Sequence, residues 1–224
     1  MNLENLKAEA AKRAARFVKS GMRVGLGTGS TAKYAILEIA RKIKTGELEN
    51  ITGVATSVES ENLARENGIM CEDLDTQLLD IAIDGADEIA PNLDLIKGAG
   101  AALLREKLVE MRAKEFIVVA DYTKMVNRLG EKMPLPVEIA RFGFESTLER
   151  LKKFGNPVLR VKNDEIVITD NGNYIADLKF SGDDAARLER KLKHLTGVVE
   201  TGFFIDMATR AVVAFEFEIK EFTR

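Results

Sequence analysis

Apolar positions in the first 120 residues fall into two alternating textures. Short apolar runs bounded by turn residues, at 22–26, 51–56, 69–74, 81–83 and 115–120, predict buried strands. Between them the apolar residues recur at helical spacing. Leu6, Ala10, Arg13, Ala14 and Phe17 progress along one side of a helix over 5–20, which Gly21 ends. Ile36, Ile39, Ala40 and Ile43 form the i, i+3, i+4, i+7 stripe of a second, and a third over 59–67 stops at Gly68. Strand–helix alternation of this kind predicts a parallel sheet covered on both faces. A further helix follows residue 100. Its expected core stripe is Ala101, Leu104, Leu108 and Met111, with Glu106 nearly opposite, between Ala102 and Val109. Small apolar neighbours around a carboxylate predict partial desolvation and a raised pKa, which suits a general base.

The texture changes at Gly130, where Pro134 and Pro136 in LGEKMPLPVEI mark a boundary or extended connection. Beyond it the pattern predicts a helix over 144–154, strands at 158–161 and 166–169, and a hairpin turn at Asp170-Asn171-Gly172-Asn173. A returning strand over 174–180 and a basic helix over 183–195 complete a small α+β lobe. The β-rich run 203–217 is expected to rejoin the first sheet. The expected organisation is a main domain of residues 1–130 plus about 204–224, and a smaller lobe of about 131–203.

Composition narrows the chemistry. The 224 residues are 46% hydrophobic, enough for one good core and a smaller lobe. A net charge of -3 gives no basic excess for nucleic acid or an anionic membrane. The first helix mixes acids with bases and lacks a continuous apolar stretch, so it reads as a cytosolic N-terminus and not as a signal peptide. One cysteine, Cys71, excludes an internal disulfide framework, and one histidine, His194, argues against a His-based metal site or a Ser-His-Asp triad. Carboxylates and lysines are left to do any chemistry.

They cluster in IAIDGADEIAPNLDLIKGAGAALLREKL, residues 81–108. Asp84, Gly85, Ala86 and Asp87 follow an apolar strand directly, where open α/β sheets put their ligands. Lys97 precedes the turn Gly98-Ala99-Gly100, and Glu106 lies on the helix after it. A solvated loop or a structural ion-pair network would have the same composition. Upstream, a strand runs into Gly25-Leu26-Gly27-Thr28-Gly29-Ser30-Thr31 and then a helix. Unpaired amides and the helix dipole make that arrangement fit for an anion, with hydroxyls from Ser30 and Thr31 added. A tight turn with a helix cap is the alternative. The G-x-G-x-G spacing is not the dinucleotide fingerprint, and the second strand ends in Ala-Thr-Ser without a ribose-binding acid, so nucleotide binding is disfavoured. Lys124 closes another strand-end cluster, Asp121-Tyr122-Thr123-Lys124.

Nearly end to end, the chain resembles ribose-5-phosphate isomerase of the A type. The resemblance rests on VGLGTGSTA (24–32), DGADEI (84–89), IKGAGAALLREK (96–107), VVADYTK (118–124), LPVEI (135–139), TDNGN (169–173) and GVVETGFF (197–204). Ala99 departs from it, standing where the family commonly has a third glycine. The resemblance implies an α/β fold with a Rossmann-like, mostly parallel sheet and a smaller ferredoxin-like α+β lobe. It implies isomerisation between ribose 5-phosphate and ribulose 5-phosphate without metal or organic cofactor, in the cytoplasm, by a homodimer or homotetramer. Matched residue by residue, Glu106 takes the proton-acceptor role, with Lys97, Asp84 and Asp87 as its catalytic companions. Thr28, Gly29, Ser30, Thr31, Gly85, Ala86, Gly98, Ala99, Gly100, Lys124 and Lys7 take substrate contacts. A non-catalytic sugar-phosphate sensor, and an amino-sugar-phosphate deaminase or sugar-lactone hydrolase, are the rival readings. The first would need no base, and the second would favour a histidine near the reacting centre.

Overall fold

Residues 2–182 and 184–224 are described by the computed structural model of the chain. In chain order it begins with α1 (Leu3–Ala14), β1 (Arg23–Leu26), α2 (Ala32–Lys44), β2 (Thr52–Ala55), α3 (Val58–Glu66) and β3 (Met70–Cys71). Next come β4 (Ile81–Gly85), β5 (Glu88–Ile89), β6 (Leu95–Ile96), α4 (Leu103–Glu110), β7 (Phe116–Asp121) and β8 (Leu135–Ile139). The rest is α5 (Phe144–Leu151), β9 (Gly155–Leu159), β10 (Val161–Lys162), β11 (Glu165–Ile166), β12 (Tyr174–Phe180), α6 (Ala185–Lys193), β13 (Val198–Thr201), β14 (Phe203–Phe204), β15 (Arg210–Ala214) and β16 (Ile219–Thr223). The expected helix start at Asp183 lies outside the described residues. Two compact units result: Met1–Ala86, Arg105–Lys124 and Met207–Arg224 form the first, Asp87–Leu104 and Met125–Asp206 the second.

The first unit holds a seven-stranded sheet in the order β16-β15-β7-β4-β1-β2-β3. Every pairing in it is parallel except that of the edge strand β16 with β15. All six residues of β7 are buried, as a central strand covered on both faces requires. The stripe of α2, Ile36, Ile39 and Ala40, packs with Leu6, Ala10 and Ala14 of α1 against Val24, Leu26, Ile81 and Ile83 of the sheet. Each such large aliphatic side chain contributes about 1.5–3 kcal/mol on burial. Chain order reverses at β1: β2 and β3 lie on one side, β4 and β7 on the other. The carboxyl ends of β1 and β4 therefore meet at a topological switch point, the ligand position of open α/β sheets.

The second unit holds a four-stranded antiparallel sheet in the order β13-β8-β12-β9. With α5 after β8 and α6 after β12 it is a β-α-β-β-α-β unit, the ferredoxin-like arrangement. Leu135, Val137, Ile139, Leu151, Ala176, Leu178 and Leu192 form its core. A three-stranded sheet, β14-β6-β5, belongs to the same unit.

Several elements differ from the sequence expectation. LPVEI is not a connection but β8, an interior strand of the small sheet. Its proline sits one residue from the strand's start, and the Pro136 carbonyl accepts the Gly202 N–H at 2.7 Å. Of the run 203–217, only β15 enters the main sheet, while Phe203 and Phe204 pair with Ile96 and Leu95. That pairing draws 87–104 into the second unit, where the sequence had counted it with the first. The buried face of α4 is also not the expected one. Leu103, Glu106, Lys107, Val109 and Glu110 are buried, whereas Leu108 and Met111 are 47% and 67% exposed. Periodicity finds a stripe, but it does not say which stripe faces inward when the inward one carries charge. Among the described residues no helix is long and apolar enough to cross a membrane.

Candidate active site

In the first unit, Thr28, Asp84 and Gly85 meet at the switch point. After β1 the chain turns at Gly27, whose N–H donates to the Ile83 carbonyl of β4 at 3.0 Å. A side chain at Gly27 would put its Cβ 2.2 Å from Asp84 Cγ, so only glycine allows the approach. Asp84, buried at the end of β4, accepts the N–H groups of Thr28 (2.9 Å) and Gly85 (2.6 Å) on Oδ1. Its carboxylate thus pins the turn to β4. The Thr28 hydroxyl lies 2.6 Å from that of Thr56, 2.8 Å from Ser57 and 3.1 Å from Ser60. Ser60 in turn donates to the Gly27 carbonyl at 2.7 Å. The strand end that lacked an acid therefore supplies hydroxyls. Thr56, Ser57 and Ser60 went unnoticed in the sequence, although the polar pair at that strand end was their signal.

Gly29 takes a left-handed φ of 99° in open space, the conformation its residue type permits. Ser30 is exposed beside it, and Thr31 stands at the head of α2 without a side-chain capping bond. The cap alternative is thereby removed for Thr31. What remains is a turn opening onto the N-terminus of a 13-residue helix. Lys7, on α1, makes an ion pair with Glu4 at 2.7 Å, and the other oxygen of Glu4 accepts the Tyr34 hydroxyl at 2.7 Å in the first turn of α2. Lys7 is so tied to that helix start, and its ammonium together with the Tyr34 hydroxyl holds the Glu4 carboxyl below its usual range. Lys124 is half-buried in a 3-10 turn after β7, where Asp121 accepts the N–H and hydroxyl of Thr123. Glu106 is 4% exposed on α4. Val109, one turn further on, packs with Val54 and Leu79, and a Cβ at Gly25 would lie 2.9 Å from it.

In the second unit, Lys97 is 2% exposed at the end of β6, its ammonium 5.4 Å from the Phe204 ring centroid. Its N–H donates to the Gly202 carbonyl at 2.9 Å. Gly98 follows with a φ of 105°, and the Ala101 N–H closes a turn onto the Gly98 carbonyl at 3.0 Å. Ala99 is exposed and keeps a negative φ, so its methyl costs the turn nothing. Asp87 accepts the Ala99 N–H at 2.8 Å. From the opposite side Arg160 Nη1 donates to the Gly98 and Ala99 carbonyls at 2.8 and 3.0 Å, while its Nε and Nη2 donate to the Asp177 carboxylate. Neither Arg160 nor Asp177 carried any motif signal. Glu88 was also missed. Fully buried, it accepts the N–H groups of Gly130, Lys132 and Met133 at 2.6, 2.6 and 2.8 Å, so the acid next to Asp87 serves to hold the chain entering β8. Ala86 is half-buried between Gly85 and Asp87. His194 caps α6 through its own backbone and lies apart from all these groups in sequence. Among the described residues no group of three or more His, Cys, Asp or Glu side chains has the arrangement of a metal site.

A Rossmann-like sheet with an amide- and hydroxyl-rich turn at its switch point, and with Asp84 buried at the end of β4, marks the first unit as an α/β domain of the kind that takes ligands at its strand ends. Residues 52–217 match the model of the family described as ribose 5-phosphate isomerase A (phosphoriboisomerase A). Ribose-5-phosphate isomerase A of Deinococcus radiodurans is 58% identical, with all of both chains covered. A D-ribose-5-phosphate isomerase solved in complex with phospho-erythronic acid superimposes with a TM-score of 0.97 at 44% identity, again over all of both chains. Ribose 5-phosphate isomerase from Plasmodium falciparum superimposes at 0.96 with 37% identity over 99% of each. The chain belongs to the ribose 5-phosphate isomerase A family.

Proposed function

We infer that this chain is an aldose–ketose isomerase that interconverts D-ribose 5-phosphate and D-ribulose 5-phosphate, a step of the non-oxidative pentose phosphate pathway. Family membership across the full chain carries the reading. The reaction moves a proton between adjacent carbons through an enediolate, so it needs a positioned base and a partner for the developing oxyanion. Glu106 removes the proton from C2 and returns it to C1, and its burial supports that role. Lys97 stabilises the oxyanion, its ammonium desolvated against Phe204. Asp84 and Asp87 handle hydroxyl protons, including those moved in ring opening. Both also fix backbone that receives the sugar, Asp84 the turn at Thr28 and Asp87 the turn at Ala99.

The phosphate sits on the Thr28–Thr31 turn at the head of α2, with Lys124 and Lys7 supplying positive charge and Gly85, Ala86 and Gly98 to Gly100 lining the sugar. The relative solved with phospho-erythronic acid supports this class of ligand, because a phosphorylated aldonic acid offers a phosphate and a planar, enediolate-like carboxylate. Absence of any metal or organic cofactor, a cytoplasmic location and a homodimeric or homotetrameric state belong to the same reading. Conversion of ribose 5-phosphate in excess chelator, with ribulose 5-phosphate followed directly, tests it. Sustained turnover is expected. Saturable binding without turnover would favour the sensor instead.

A further inference from the structure

Arg160 spends its guanidinium on a turn that closes without it. The Gly98 carbonyl already accepts the Ala101 N–H, and Ala99 and Gly100 are exposed, so water would satisfy their carbonyls. Yet Arg160 is 15% exposed, locked on Asp177 through two parallel bonds, and reaches both carbonyls through one nitrogen. Its own backbone is fixed as well: its N–H donates to the Ile175 carbonyl at 2.8 Å, and its carbonyl accepts the Val167 N–H at 3.0 Å.

Peptide geometry says what such a clamp does. C=O and N–H of a trans peptide point in opposite directions. The Gly98–Ala99 peptide is bracketed, its carbonyl on the Arg160 cation and its N–H on the Asp87 anion. The next peptide has only its carbonyl held. Its N–H, that of Gly100, is directed away from Arg160 and makes no hydrogen bond among the described residues. A carbonyl bound to a cation also polarises its peptide and strengthens the N–H as a donor.

We propose that Arg160, held by Asp177, is a positioning residue for the isomerisation: it aims and polarises the Gly100 N–H toward the oxygen that gains charge in the enediolate. The inference rests on the isomerase reading and adds a donor to it. Loss of a direct oxyanion donor costs about 10²–10³ in kcat. Loss of the residue that orients it is expected to cost about tenfold or more.

The test compares wild type, Arg160→Ala, Arg160→Lys and Asp177→Asn in ribose 5-phosphate turnover, alongside their thermal unfolding. Arg160→Ala should lower kcat about tenfold or more with KM changed less than about threefold, and millimolar guanidinium should restore part of the loss. Arg160→Lys should stay impaired, because one ammonium cannot hold Asp177 in a fork and two carbonyls as well. Asp177→Asn should fall between. Wild-type kcat in Arg160→Ala, or a loss that follows the unfolded fraction and ignores guanidinium, would overturn the proposal and leave the isomerase reading standing. Absence of turnover in the wild type would sink that reading, and this one with it.

Discussion

Replacing Gly27 with alanine probes the switch point at its tightest place. The new Cβ would lie 2.2 Å from Asp84 Cγ and Oδ1 and 2.5 Å from Asp84 Cα. Ordinary contact needs about 3.4 Å or more, so the two elements must separate by roughly 1 Å. The Asp84 side chain cannot simply swing away, because the Cα of β4 is itself in the path. Relief therefore stretches the Gly27 N–H bond to the Ile83 carbonyl and pulls Asp84 off the amides of Thr28 and Gly85. Overpacking of this kind costs about 1–3 kcal/mol, or roughly 2–12 °C in Tm for a chain of this size. The functional penalty should be larger, since a misplacement of about 1 Å in a positioned site costs about 10²-fold. Gly21→Ala is the control. It faces open space at a φ of 82°, so it carries about 1–2 kcal/mol of backbone strain at the opposite end of β1 from the turn. Thermal unfolding and steady-state turnover of both variants separate the effects. Similar Tm losses with kcat/KM falling only in Gly27→Ala would bear out the reasoning. A folded Gly27→Ala with wild-type kcat/KM would refute it, because the Asp84–Thr28 geometry would then be dispensable.

Three further outcomes are expected. Lys97→Ala should reduce kcat more than it raises KM, whereas Lys124→Ala should mainly raise KM; steady-state kinetics on ribose 5-phosphate decides, and the reverse pattern would exchange their roles. Glu88→Ala strips the acceptor from three backbone N–H groups and should destabilise the second unit by about 3 kcal/mol, read by denaturant titration and by faster amide exchange at Gly130 to Met133. Asp80 is held below its usual range by Lys114 and by the Arg23 N–H, so its contribution is present above the unfolded value of 3.8 and is lost as pH falls through the lower folded one. Asp80→Asn should accordingly cost up to about 1 kcal/mol at pH 7, given the pair's partial exposure. The difference from wild type should shrink as pH falls through the lowered folded value, and a gap that persists where the carboxyl is protonated in both states would point to packing instead.

Much of the first unit was legible because its signals are local. Short apolar runs between turns gave β1, β2, β4 and β7, and the stripe of α2 lay where its spacing put it. Glycine turns and acids at strand ends drew attention to Thr28 and Asp84, which the fold brings together where Asp84 accepts the Thr28 N–H. Non-local partners were not legible. β8 read as a linker because of Pro136, and only β12 and β13 on either side reveal it as a strand. Burial of Glu106, Lys107 and Glu110 inverts the apolar-inside rule on which the facing of α4 was assigned. Arg160 lies 61 residues from Ala99, and the Glu88 carboxylate reaches 42 to 45 residues ahead. Such side chain-to-backbone clamps leave no periodicity, since the acceptor or donor they meet is backbone that any residue provides.

Proton transfer in the proposed isomerisation depends on Glu106 as the base. Wild type and Glu106→Gln should be compared for conversion of ribose 5-phosphate, each checked for native folding. A kcat lower by about 10² or more in the folded variant is the predicted result. Near-normal turnover without the carboxylate would contradict the mechanism and move the proton transfer to another acid.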